Sequence, residues 1–260
     1  MDVLSPQSLE EALRLKAERP DAVPIAGGTD VMVALNFDRL RPGALIDLNR
    51  VPELRGWSRD NGTVRLAAGL TYTEAMQEPL ASLLPALAEA SRTVGSPQIR
   101  NRGTIGGNLG TASPAGDALP PLLVEEAEVE LASVRGTRRL ALADFLVGVK
   151  RNVLEGDELV TAVLVQPAGA AQTFMKVGPR NAMVIAVVSL AVRVGDDLRA
   201  AFGSAAPVPT LVRADRSELD AFPDLVAEAA APIDDVRGTA AYRRHALRVL
   251  TKRALERCLA

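Results

Sequence analysis

Two short stretches carry the residue types that could do chemistry. Pro24-Ile-Ala-Gly-Gly-Thr-Asp30 follows an apolar run, and Thr104-Ile-Gly-Gly-Asn-Leu-Gly-Thr-Ala-Ser-Pro-Ala-Gly-Asp117 sets glycines, hydroxyls and an amide beside a single carboxylate. Glycine permits positive φ and lets backbone N–H groups converge on an anion, a way of holding phosphate with few charges. The first stretch is therefore a candidate half of a diphosphate cradle. A tight strand-to-helix turn would ask for the same glycines, and both readings stand at this point. In the second stretch Thr104, Gly106, Gly107, Asn108, Thr111 and Ser113 offer backbone and side-chain donors, while Asp117 can accept from ribose hydroxyls. Two donor-rich, low-charge loops suit a dinucleotide better than a nucleoside triphosphate, which recruits Lys and Mg²⁺. Neither G-x-G-x-x-G nor G-x-x-x-x-G-K-[ST] occurs, so Rossmann and P-loop binding are unsupported.

Other chemistries lack their residues. The one cysteine, Cys258, excludes a disulfide framework, a Cys-ligated zinc and an iron-sulfur cluster held by this chain alone. The one histidine, His245, sits beside Arg243 and Arg244, and no nucleophile, base and acid can be assembled around it. Tyr242, Arg243 and Arg244 read as helix packing and a solvated face. Trp57 reads as partial core.

The elements that must position the loops follow from periodicity and capping. Ser8-Leu-Glu-Glu11 and Thr71-Tyr-Thr-Glu74 are capping boxes that open helices, the first running to about Arg19. Strands are predicted over 23–26, 45–48, 64–68, 129–134 with a return over 138–140, 159–165, 174–177, 184–194 and 198–202. A further helical stretch covers 83–90, and a final helix runs from about Thr239 to Cys258. The apolar run from Met183 to Val194 is too short for a bilayer span and rich in β-branched residues, so it reads as a buried strand. Pro167-Ala-Gly-Ala-Ala171 is a linker candidate.

At 260 residues, with 48% hydrophobic and 24% charged residues, the composition is that of a globular protein. Thirty basic against thirty-two acidic residues give a net charge of −2, with 3% aromatics, which argues against nucleic acid as a partner. The start, MDVLSPQSLEEAL, lacks a basic region followed by an apolar core, and a cytoplasmic location is expected.

AGGT, followed some 75 residues later by TIGGN and SPAGD, resembles the FAD-binding medium subunit of the molybdenum hydroxylases, the xanthine dehydrogenase and carbon monoxide dehydrogenase group. The resemblance covers essentially the whole chain, through Gly156-Asp-Glu-Leu-Val160, Phe174-Met-Lys-Val177 with Arg180, Ala201-Phe-Gly-Ser-Ala-Ala-Pro207 and Arg237-Gly-Thr-Ala-Ala-Tyr-Arg-Arg244. It implies an α+β fold: a two-part PCMH-type FAD-binding domain, residues 1–55 and 56–167, and then a small α+β C-terminal domain with terminal helices, residues 172–260. It also implies that Ile25, Ala26, Gly27, Gly28, Thr29 and Asp30 wrap the FAD diphosphate, with Thr104, Gly106, Gly107 and Asn108 on the other side. Asp117 would meet the adenosine part, Thr111 would lie near the cofactor, Val160 would lie against it and Lys176 would reach a polar group on it.

The implied role is an electron-transfer subunit of an oxidoreductase, without catalytic or metal-ligating residues of its own. Its partners would be a small subunit with [2Fe-2S] clusters and a large molybdopterin subunit, and electrons would pass to NAD⁺ or another acceptor. Xanthine dehydrogenase is the implied type, because AGGT and TIGGN follow that group's wording. A carbon monoxide dehydrogenase or another aromatic or N-heterocycle hydroxylase is the first alternative. A standalone FAD-dependent oxidase and a flavin-free scaffold are the others.

Overall fold

The computed structural model describes residues 1–260. The first fifty residues fold around a small parallel sheet. β1 (Asp2–Leu4), α1 (Leu9–Glu18), β2 (Val23–Ile25), α2 (Val31–Asn36) and β3 (Ala44–Asp47) alternate, with β3 central between β1 and β2. The Ser8 hydroxyl accepts from Glu11 N–H at 3.1 Å, but the Glu11 carboxylate returns to Gln7 N–H instead of Ser8. α1 is thus capped from two adjacent residues. Helical crossovers of this kind leave the carboxyl ends of parallel strands pointing the same way, where ligands bind in open α/β sheets.

The middle of the chain builds an antiparallel sheet of five strands and packs helices on it. β4 (Trp57–Asp60) and β5 (Thr63–Ala67) form a hairpin, after which come α3 (Tyr72–Ala75), α4 (Leu80–Leu83), α5 (Pro85–Thr93), α6 (Pro97–Arg100), α7 (Ile105–Thr111) and α8 (Leu119–Val124). The second hairpin is β6 (Glu128–Ser133) with β7 (Gly136–Ala141). α9 (Leu142–Phe145), a short pair β8 (Leu146–Gly148) and β9 (Arg151–Asn152), and β10 (Leu159–Val165) complete this part. β10 lies at the centre of the order β4-β5-β10-β6-β7, which explains why all seven of its residues, LVTAVLV, are buried. The Thr71 capping box is complete, with Thr71 and Glu74 serving each other's N–H.

The C-terminal part is a four-stranded antiparallel meander, β11 (Ala171–Val177), β12 (Val188–Val194), β13 (Asp197–Gly203) and β14 (Thr210–Asp215), backed by α10 (Phe222–Glu228) and α11 (Ala240–Leu259). It encloses its own apolar cluster around Phe202, Phe222 and Leu247. The strand predicted over 184–194 starts later, at Val188. Met183 and Ile185 are 55% and 64% exposed, because β11 pairs only as far as Val177 and the connection beyond it is left on the surface. Arg243, read from the sequence as part of a solvated face, is 1% exposed. Its guanidinium donates through Nη1 to the carbonyls of Val187 and Ser204 and through Nη2 to Asp235, an ion pair that compensates the buried charge while Nε keeps no partner.

Candidate functional site

The two glycine-bearing loops meet. A Cβ on Gly27 would stand 1.9 Å from the carbonyl oxygen of Arg102, so only bare backbone allows this approach, and Gly28 next to it takes φ +74. Thr111 Oγ1 donates to Asp30 Oδ2 at 3.1 Å and ties the end of the second loop's helix to the first loop. Asn49, just past β3, donates through Nδ2 to Ala26 O at 2.8 Å.

Between the loops is a cavity of about 590 Å³, within the range of small-molecule sites. Ala26, Gly27, Gly28, Thr29 and Asp30 line one side, Thr104, Gly106, Gly107, Asn108 and Thr111 another, and Val160 closes part of the wall. Val160 reaches this position where β10 is irregular. The pairing of β10 with β6 slips between Val160 and Ala162, leaving Thr161 as an extra residue, and such bulges re-aim neighbouring side chains.

The backbone donors of the two loops are used differently. None of the N–H groups of Gly27, Gly28, Thr29 and Asp30 donates a hydrogen bond within the chain. In the second loop the corresponding groups are occupied by the fold itself: Ile105 N–H goes to Leu70 O, Gly106 N–H to Ala68 O, Gly107 N–H to Thr104 Oγ1 and Asn108 N–H to Thr104 O. The first loop is the one whose amides are left free, and the second supplies a wall and side chains. Asn108 Oδ1 is buried with no partner.

Ile25, Asp117 and Lys176 stand apart from the cavity lining. Ile25 belongs to β2 and pairs with Asp47. Asp117 and Lys176 are brought together with each other. Lys176 Nζ donates to Asp117 Oδ2 at 2.6 Å and to Thr93 O at 3.3 Å, with both side chains under a tenth exposed. Burial pushes the Asp117 carboxyl up from its ordinary value, the Lys176 ammonium opposing it, and Asp117 Oδ1 has no partner.

Several lining residues had been missed. Asn49, Tyr72, Arg55, Arg102, Lys150 and Glu158 border the same space. Asn49 could have been found from its place two residues past the carboxyl end of β3, a parallel strand. Glu158 is held by Arg138 through two bonds of 2.6 and 2.7 Å, and this keeps its carboxyl below the ordinary range against the opposing effect of burial. The cavity thus has three cations, Arg55, Arg102 and Lys150, against Asp30 and the already paired Glu158.

Free consecutive amides beside bare glycine, surplus positive charge, and an unpartnered buried amide oxygen fit a ligand that brings a diphosphate at one point and hydrogen-bonding groups at others. The comparisons with known proteins agree. Residues 1–167 match the family described as FAD binding domain in molybdopterin dehydrogenase, and residues 173–258 match the CO dehydrogenase flavoprotein C-terminal domain. The chain is 40% identical over 205 residues to the nicotinate dehydrogenase FAD-subunit of Eubacterium barkeri, covering 75% of this chain and 69% of that one. It is 31% identical over 278 residues to the putative xanthine dehydrogenase FAD-binding subunit of Escherichia coli (strain K12), covering 97% and 94%. Its fold superposes on a chain of the Cu,Mo-CO dehydrogenase crystal structure with a TM-score of 0.92 at 28% identity, over 99% of this chain and 97% of that one.

Proposed function

The chain belongs to the FAD-binding subunits of the molybdenum hydroxylases, and from that premise we propose that it relays electrons within a three-subunit oxidoreductase, from [2Fe-2S] clusters in a small subunit to NAD⁺ or another acceptor. The large subunit would hold molybdopterin and choose the substrate. Residues 1–55 and 56–167 would be the two halves that enclose FAD, and 172–260 the domain that backs them. The observation that carries the reading is the run of unpaired N–H groups from Gly27 to Asp30 in the cavity wall.

FAD, when bound, supplies a centre able to accept electrons singly and give them up as a pair. The chain's own residues bind and orient it. The Gly27–Asp30 amides would hold the diphosphate, with Arg55, Arg102 and Lys150 adding positive potential around it. Thr104, Gly106, Gly107 and Asn108 would form the facing wall, Thr111 would hold Asp30 in place, and Val160 would limit access of water. Ile25 would act through its strand, by fixing the start of the loop. Asp117 would offer its unpartnered Oδ1 to a cofactor hydroxyl, and Lys176 would hold that carboxylate.

Xanthine-type chemistry is the finer reading, supported by the full-length likeness to the Escherichia coli subunit. The likeness to a nicotinate dehydrogenase subunit favours a second N-heterocycle as substrate. Titration of the purified chain with FAD and acid release of the bound cofactor test the core of the proposal, with one FAD per chain expected. Folded protein that retains no flavin, alone or with its partners, would overturn it. Assays of NAD⁺ reduction by the assembled complex with xanthine and with nicotinate then separate the two substrate readings.

A further inference from the structure

Tyr72 is the first residue of α3 and has a fixed place at the cavity. Its N–H donates to Gly103 O at 3.2 Å, and Thr71 and Thr104 are bridged as in a short antiparallel pair, so the start of α3 is stitched to the loop that opens α7. The ring packs against that loop. A Cβ on Gly103 would fall 3.1 Å from Tyr72 Cε2, which leaves the ring no room to swing across. The side chain is 5% exposed, yet the residue borders the cavity.

Its phenol oxygen makes no hydrogen bond within the chain, yet it is not closed off as the unpartnered Asn108 Oδ1 is. Burial, and then the carboxylates of Asp117 and Asp30, push the phenol well above its ordinary range. A hydroxyl with no partner in the chain is completed by water or by a ligand. The adjoining space is the one lined by Gly27 to Asp30, whose amides are free.

We infer that Tyr72 is a cofactor-binding residue, its hydroxyl donating a hydrogen bond to an acceptor oxygen or nitrogen of the flavin dinucleotide held in this cavity. The inference rests on the FAD reading and adds to it a residue outside the two glycine loops. Ring and hydroxyl have separable roles: the ring packs the Gly103 loop in place, and the hydroxyl completes the ligand's shell. A neutral donor suits this position, since a second cation there would compete for the nearby carboxylates instead of for the ligand.

Tyr72→Phe separates the two roles, because it keeps the ring and removes only the hydroxyl. Two quantities are read on the full chain: the thermal midpoint of the FAD-free protein and the Kd for FAD by flavin fluorescence quenching. The expected result is an unchanged or slightly raised midpoint without FAD, and a Kd raised about two- to tenfold, the range for losing one hydrogen bond between neutral groups. A larger loss would point to the same contact made to a charged phosphate oxygen. A Kd equal to that of the unsubstituted chain overturns the inference. A midpoint that falls without FAD also overturns it, since the hydroxyl would then be serving a protein group. Absence of FAD binding by the unsubstituted chain is a different outcome and strikes the FAD reading itself.

Discussion

Gly27→Ala is the substitution whose consequence the geometry states most directly. The added methyl would lie 1.9 Å from Arg102 O, 2.5 Å from Arg102 C and 3.0 Å from Gly103 N, all main-chain atoms that no rotamer change can move. Relieving the first contact to an ordinary C···O separation of about 3.4 Å requires the two loops to part by about 1.5 Å. Overpacking of this kind costs about 1–3 kcal/mol. For a chain of this size that is a fall of about 2–4 °C in thermal midpoint for each kcal/mol. The effect on the cofactor should exceed the effect on stability, because the free amides of Gly27 to Asp30 sit on the segment that must move. The assay is a paired measurement, thermal midpoint without FAD and Kd for FAD, on Gly27→Ala and on Gly110→Ala. Gly110 is the control for stability. A Cβ there meets nothing within 4 Å and replaces a glycine inside α7, so its midpoint should hold or rise by the equivalent of up to about 1 kcal/mol. A Gly27→Ala protein with the midpoint and FAD affinity of the unsubstituted chain would refute the argument that the loops meet through bare backbone.

Other outcomes follow from the charged groups. Asp117→Asn should cost about 3–5 kcal/mol in urea unfolding of the FAD-free chain, because it strands the Lys176 ammonium at 6% exposure. Since burial already works against the Asp117 carboxylate, the double substitution Asp117→Asn with Lys176→Met should recover most of that loss; equal destabilisation of the single and double variants would show that the pair is not what matters. The carboxyls of Glu158, held by Arg138, and of Asp235, held first by Arg237 and also by Arg243, lie below their ordinary values in the folded chain. Their stabilisation is complete above the unfolded carboxylate range of about 4 and is lost as pH falls through the lower folded values. Glu158→Gln should therefore flatten the acid limb of a stability profile below about pH 4, and a profile parallel to that of the unsubstituted chain would count against the Arg138 pairing.

Much was already legible in the residue order. The Thr71 capping box, the strand signal of β6 and the apolar run of β10 marked where elements begin, since these signals are local. The half-buried alternation expected of β6 is not found, because β6 lies inside the sheet between β10 and β7 and every residue from Val129 to Ser133 is buried. The glycine motifs identified the family and marked two loops as belonging to one cavity. Local signals failed where the partner of a segment decides its state. Trp57–Asp60 and Thr210–Asp215 are exposed edge strands with little alternation, formed only because a neighbour supplies their hydrogen bonds. Met183 to Val187 carries strand-forming residues but has no strand beside it along its length.

The site divides the same way. Sequence alone placed the bare residues, and the structure shows what they serve: close backbone approach at Gly27 and Gly106, and φ +74 at Gly28. Sequence could not say whose amides remain free. That depended on Ala68 and Leu70 reaching across to take the N–H groups of Gly106 and Ile105, a pairing between segments some 35 residues apart. Nor could it show that Asp117 and Lys176 pair with one another, that Arg243 lies buried on Asp235, or that Tyr72, nearly buried, borders the cavity. Propensity and glycine geometry belong to a residue and its immediate neighbours. Hydrogen-bond satisfaction and charge pairing belong to the whole packed chain, and only the tertiary structure assigns them.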